Sequence, residues 1–227
     1  MKLNLDYFGD WVKVFNKDIL YNSLVKLSRE YNNKLICPNK INVFKSFKLC
    51  QLNDLKLVML GQDPYPQKDI ATGILFGNKK NTPDNKLSPS LKIIKEAVIN
   101  FEIPHNYINF DETLESWATQ GILMLNSALT CEVNKPGSHS LLWRPFISSL
   151  LQNLSNYNTG IIYVLFGKQA QSFKPYIDTG FNHILEINHP AYYARTNSKM
   201  PYNFFREINK KVNYFWGDSI EWYKEIN

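Results

Sequence analysis

A carboxylate, amides and an imidazole recur at one kind of place in this chain, just beyond a short apolar run. Leu57–Leu60 leads into Gly61-Gln62-Asp63, and Ile122–Leu125 leads into Asn126. Ile161–Phe166 leads into Gly167-Lys168, and Ile184–Ile187 leads into Asn188-His189-Pro190. Each residue alone has a plain structural explanation. Asp63 before a proline commonly bonds its local backbone, Asn126 can satisfy stray backbone groups, and His189 can be a capped loop histidine. Their shared position at the ends of apolar runs favours function for the set. The chain has no nucleophile elbow, no GxxxxGK[ST] phosphate loop and no GxGxxG turn. What remains suits a substrate that departs as a stabilised anion while positive charge develops beside it. Hydrolysis of a glycosidic bond, with an oxocarbenium-like transition state, has that character. One aspartate instead of a carboxylate pair implies a leaving group that needs no strong acid, and a nucleobase departing as an anion qualifies.

The elements that must hold these groups follow from periodicity. The four runs are short and apolar on successive positions, as strands covered on both faces are. Between them lie helical patterns. Residues 89–100 open on a cap-like Ser88-Pro89-Ser90 and set Leu91, Ile94 and Val98 on one face. Leu142, Phe146, Leu150 and Leu154 form a second stripe, Phe173 and Ile177 a shorter one, and Phe204, Ile208 and Val212 a later one. A helix over residues 19–33 precedes the first strand. Strands alternating with helices predict an α/β, three-layer sandwich with a central, mainly parallel four-stranded sheet flanked by helices. Ligands bind such sheets beyond the carboxyl ends of the strands, where the candidate residues fall. No repeat or low-complexity linker divides the chain, so residues 1–227 read as a single domain.

Composition narrows the class. The 227 residues are 44% hydrophobic and 14% aromatic, which suits a globular protein. No window approaches the roughly 18 consecutive apolar residues of a membrane helix. The opening MKLNLDYFGDW lacks the apolar core and cleavage site of a leader, so the expected location is the cytoplasm, or the nucleus in a eukaryotic host. Cys37, Cys50 and Cys131 are scattered and odd in number, as buried structural thiols would be, and form no disulfide framework or cluster site. The four histidines have no ligand spacing, so no metal is expected. A net charge of +6 hints at a polyanionic partner, although lysine and asparagine are also what an AT-rich genome supplies.

The stretches GQDPYP, TGILF, LSPSL, LESWATQGILMLNSALT, VLFGKQAQ and HILEINHPAYYA resemble, in order, uracil-DNA glycosylases of the family 1 type. The similarity runs from about Trp11 to about Phe215. It implies removal of uracil from DNA in base excision repair, without cofactor or metal. Asp63 matches the aspartate that positions water and stabilises the positive sugar. His189 matches the histidine that hydrogen-bonds uracil O2 as charge develops there, and Asn126 the amide that reads the base edge. Tyr65 matches the ring that excludes the thymine methyl, Phe76 the ring that stacks on the flipped base, and Gln62 a supporting contact. Pro89-Ser90 and Ser138-His139 match loops that hold the DNA backbone, as do Gly167-Lys168. The implied partner is uracil-containing DNA, single- or double-stranded, bound by a monomer. A DNA-mimicking protein inhibitor is known for the family and is a further implied partner.

Three departures bear on DNA handling. The family usually has histidine at Pro66 and serine at Lys168. After His189-Pro190 it usually has Ser-Pro-Leu-Ser, where this chain has Ala191-Tyr192-Tyr193-Ala194. Two serines that pinch the backbone thus become alanines, and the leucine wedge becomes a tyrosine, either Tyr192 or Tyr193, able to stack between bases. The expectation is uracil chemistry with altered duplex handling, in favour of single strands. A catalytically weak DNA-binding or polymerase-associated relative is the alternative, opposed by the retention of Asp63, Tyr65, Phe76, Asn126 and His189. A glycosylase relaxed towards thymine is opposed by Tyr65.

Overall fold

The computed structural model describes residues 5–226. Met1–Asn4, part of the segment read against a leader, and Asn227 lie outside the described residues. A 3-10 segment, Leu5–Lys13, seats Phe8 and Trp11 in the interior. Helix α1 (Lys17–Asn33) is capped by Asn16, whose side chain accepts from the Ile19 N–H. Strand β1 (Ile36–Cys37) and helix α2 (Lys45–Leu49) lead to β2 (Leu57–Gly61). Next come α3 (Pro89–Val98), β3 (Ile108–Asn109), α4 (Glu115–Ala118), β4 (Ile122–Asn126) and β5 (Cys131–Glu132). Helix α5 (Ser140–Tyr157) precedes β6 (Ile162–Phe166), α6 (Gly167–Gln171) and β7 (His183–Ile187). Helices α7 (Pro190–Thr196) and α8 (Phe204–Trp216) and strand β8 (Lys224–Glu225) complete the order.

Four of these strands form a wholly parallel sheet in the order β4-β2-β6-β7. Alternate residues sort to its two faces. Val58, Leu60, Leu123, Leu125, Tyr163 and Leu165 join Trp11, Phe47, Trp143 and Phe146 in one core. Leu57, Met59, Ile122, Met124, Ile162 and Val164 join Leu91, Ile94, Phe205 and Ile208 in the other. Helices α1 and α5 cover the first face, α3 and α8 the second, giving the expected three layers. The chain places β4 on one side of β2 and then crosses to β6 on the other. That reversal opens a crevice beyond the ends of β2 and β6, the usual ligand position in such sheets.

Two expectations need correction. Strand β7 is not covered on both faces: Glu186 is exposed and only Ile187 is buried. It is the edge strand, with β6 as its one sheet neighbour. Phe173 and Ile177 do not share a helix. Helix α6 ends at Gln171, and a 3-10 turn, Lys174–Tyr176, stands in its place. Pro175 has no N–H to donate, and its ring disfavours helix in the residue before it.

Candidate active site

The turn leaving β2 is fastened along its backbone. The Gly61 carbonyl accepts from Ser127 N–H at 3.0 Å, and the Gln62 carbonyl from Ala128 N–H at 3.0 Å and Ser127 Oγ at 3.1 Å. Asn134 N–H donates to the Pro66 carbonyl at 2.8 Å. The Cys131 thiol reaches the Pro64 carbonyl at 3.7 Å, and the Cys37 thiol the Gln67 carbonyl at 3.4 Å. All three cysteines are buried and unpaired, and two of them pin this turn.

So held, Asp63 keeps a carboxylate whose two oxygens are buried without a hydrogen-bond partner. Burial pushes its pKa up, and the nearby Gln62 side chain and Gly137 backbone offset only part of that. The result is a stronger base than a solvated aspartate. Asn126 ends β4 directly across from Gly61, and its Oδ1 is also buried and unpartnered. Gly61 permits this proximity. A Cβ there would stand 3.2 Å from Asn126 Oδ1 and 2.3 Å from Leu75 Cδ1.

His189 caps α7, and its Nδ1 accepts the Ala191 N–H at 3.2 Å. The neutral ring must then carry its proton on Nε2. Burial foremost, and the positive charge of Arg195 second, lower its pKa to about 4, so at neutral pH it is an uncharged donor. The backbone at Gly167 has φ +81°, and a Cβ there would come within 2.9 Å of His189 Cβ. Gly167 therefore acts by making room for His189.

Two rings complete the enclosure. Phe76 is buried, held edge-on by Phe166 with ring centroids 5.2 Å apart, and meets the His189 ring at 5.3 Å. Tyr65 donates to the Phe76 carbonyl at 3.0 Å, which fixes one aromatic relative to the other. Asp63, Tyr65, Phe76, Asn126 and His189 all line one pocket of about 450 Å³, together with Gln62, Pro89 and Ser90. A planar heterocycle could lie in it with its polar edge on Asn126 and His189 and its sugar at Asp63.

Other expected site residues stand apart. Gly167, Lys168, Ser138, Tyr192 and Tyr193 do not line the pocket. Ser138 Oγ accepts from Glu132 N–H at 2.8 Å, a turn contact. His139, expected on the DNA side, is only 3% exposed, with Nδ1 2.8 Å from Thr130 Oγ1. Its position is interior because Thr130 also receives the buried Trp143 indole N–H, at 2.8 Å. Tyr193 is buried and Tyr192 is 43% exposed. Sequence reasoning passed over Arg195 and Pro136, which line the pocket. It read Ala191 only as a lost serine, although it lines the pocket too, and Ser88 only as a helix cap, although it also braces Tyr65. A helix started at Pro190 would have placed Ala191 and Arg195 on one face.

Among the described residues, Glu30, Glu132 and His139 bring ligand atoms within 4.8 Å of one another. An ammonium already serves the two carboxylates, since Lys34 Nζ lies 2.5 Å from Glu30 and 2.6 Å from Glu132. None of the three lines the pocket. The pocket itself offers no clustered metal donors, and its chemistry is that of a base, a neutral donor and an amide.

A profile of the Uracil DNA glycosylase superfamily matches residues 47–213, a span that includes every pocket group described above. The chain belongs to this superfamily. A uracil-DNA glycosylase of Mycoplasmopsis pulmonis is 37% identical over 200 residues, 86% of each chain. One from Campylobacter jejuni is 34% identical over 197 residues, 82% of this chain and 81% of that one. In three dimensions, a tyrosine-to-leucine variant of mimivirus UNG in complex with UGI is similar with a TM-score of 0.82. It is 25% identical, and the match covers 97% of this chain and 91% of that one. The UNG of Nitratifractor salsuginis shares the glycosylase fold at a TM-score of 0.59 and 20% identity, over 96% and 97% of the two chains.

Proposed function

We propose that this chain is a uracil-DNA glycosylase. It hydrolyses the N-glycosidic bond of deoxyuridine extruded from DNA, releases uracil and leaves an abasic site for base excision repair. The observation that carries this reading is the pair of orphaned acceptors, the Asp63 carboxylate and Asn126 Oδ1, buried in one pocket with a neutral His189. Unsatisfied buried polar atoms are costly, and a ligand that completes them recovers the cost.

The roles follow from the chemistry. Asn126 Oδ1 accepts uracil N3–H, and its amide donates to O4. Cytosine, unprotonated at N3, would leave that buried acceptor unpaired, the condition under which a site discriminates strongly. As the glycosidic bond lengthens, negative charge gathers on the base and positive charge on the sugar. His189 Nε2–H donates to O2, stabilising the anion by a fixed dipole without proton transfer. Asp63, ionised, faces the sugar cation and accepts a proton from the attacking water. Tyr65 occupies the space a thymine methyl would need, and Phe76 stacks on the base. No step calls on a metal.

The protein works as a monomer in the cytoplasm, or in the nucleus of a eukaryotic host. A DNA-mimicking protein inhibitor would cover the same pocket mouth that DNA does. At that mouth, Tyr192 is the better-placed wedge, because Tyr193 is committed to the core.

The test is a labelled single-stranded oligonucleotide with one uracil, incubated with the protein in EDTA and then treated with alkali. Cleavage at the uracil, absent from a thymine control, is the expected result. Binding without cleavage would overturn the proposal in favour of a non-catalytic DNA-binding factor.

A further inference from the structure

The pocket wall contains a charge for which the reaction above has no use. Among the residues lining it, Arg195 is the sole lysine or arginine. No hydrogen bond or ion pair holds its guanidinium among the described residues. Arg144, by contrast, bonds Ser172 and covers the Phe173 ring, and Arg206 pairs with Glu102. The mounting of Arg195 is nonetheless firm. Helix α7 packs against α3, and Tyr193, 7% exposed, anchors it in the core. Arg195 lies one helical turn beyond Ala191, on the same face, and both line the pocket.

Pro89 and Ser90, at the start of α3, line the same pocket and are small and uncharged, while Arg195 is exposed, which sets its cation where the pocket opens to solvent. A nucleotide that enters base first must leave its phosphates at this mouth, since the charged backbone stays in water. Ala191 has no hydrogen-bonding side chain to offer them. A guanidinium presents a planar fork of donors that matches two phosphate oxygens at once.

We propose that Arg195 is the phosphate clamp of this site, gripping the phosphodiester that flanks the extruded nucleotide. The inference rests on the glycosylase reading and adds a positioning residue to it. A cation here also opposes protonation of His189, so the grip and the neutral donor are compatible.

The experiment measures binding against salt concentration for the wild type, Arg195→Gln and Arg195→Lys. One probe is a single strand carrying 2′-deoxypseudouridine, a carbon-linked isostere of deoxyuridine that cannot be hydrolysed. The other is the same strand with thymidine at that position, which is not extruded. Arg195→Gln should weaken binding to the isostere strand about tenfold and reduce the slope of log K against log salt by about 0.7. Binding to the thymidine strand should change little. Arg195→Lys should restore the slope but only part of the affinity, because the fork is lost. An unchanged slope on the isostere strand, with the wild type still preferring that strand, would overturn the clamp and leave the glycosylase reading intact. Equal losses on both strands would also overturn it, by making Arg195 ordinary surface charge. A wild type without preference for the isostere strand would sink the glycosylase reading, and the clamp with it.

Discussion

The Tyr65 hydroxyl lies 2.6 Å from Ser88 Oγ, and the proton between them must come from the serine. Tyr65 has one proton, which it donates to the Phe76 carbonyl, while Ser88 Oγ accepts from the Leu91 N–H as the cap of α3. The ring that guards the base pocket is thus braced by the helix whose next residues, Pro89 and Ser90, line that pocket. Burial meanwhile raises the phenol pKa to about 12, so it remains a neutral donor.

Ring and hydroxyl should therefore separate by mutation. Tyr65→Phe keeps the ring and loses the brace, at a cost of about 1 kcal/mol in stability. It should still reject thymine. Tyr65→Ala removes the ring and should excise thymine as well as uracil. Excision rates on matched uracil and thymine oligonucleotides check both. Thymine left intact by Tyr65→Ala would mean that another group excludes the methyl.

Asp63 carries a conflict between stability and function. Its folded pKa lies above the unfolded value near about 3.9, so the folded protein binds that proton more tightly. Stability consequently falls as pH rises through the interval between the two values, and stays lower at neutral pH. Asp63→Asn removes the buried charge. It should raise stability at pH 7 by about 1 kcal/mol while cutting the excision rate by about 10² to 10⁴. Binding of uracil-containing DNA should survive. Thermal melts and single-turnover excision decide it, and near-normal activity would remove Asp63 from its role.

The pH profile has a definite shape as well. His189, with a pKa of about 4, stays neutral through the range where an ordinary histidine titrates near about 6.5. Asp63 must be ionised for the reaction, so activity falls on the acid side as pH drops through its raised pKa. A His189→Asn variant should lose about 10² to 10³ in kcat yet keep that acid limb in place. If the limb moved with the His189 substitution, histidine protonation would be its cause.

Much of this was legible in the sequence because strand ends are easy to see. Four apolar runs gave the sheet, and the residues after three of them (Asp63, Asn126 and His189) do converge on one pocket. The turn itself announced its rigidity through Pro64 and Pro66. What could not be read was which way a side chain faces once a loop closes. Ser138 and His139 lie in a segment that looks exposed by composition, yet His139 turns inward to Thr130, a partner nine residues earlier. Arg195 was hidden for the opposite reason. The region after His189 read as a loop, and without a helix there was no face on which to place it.

The same helix decides between the two tyrosines. In α7, Tyr193 turns into the core, while Tyr192 meets it edge-on with centroids 5.4 Å apart and stays in solvent. Tyr192→Ala should leave stability within about 0.5 kcal/mol, as surface changes do. It should slow excision from duplex DNA more than from single strands, since only the duplex position must be refilled after the base leaves. Tyr193→Ala should instead destabilise the fold by about 3 kcal/mol through lost core packing. Excision rates on single- and double-stranded uracil substrates, beside thermal melts, separate the two. A duplex-specific defect in Tyr193→Ala at unchanged stability would reverse the assignment, and would require α7 to unwind when DNA binds.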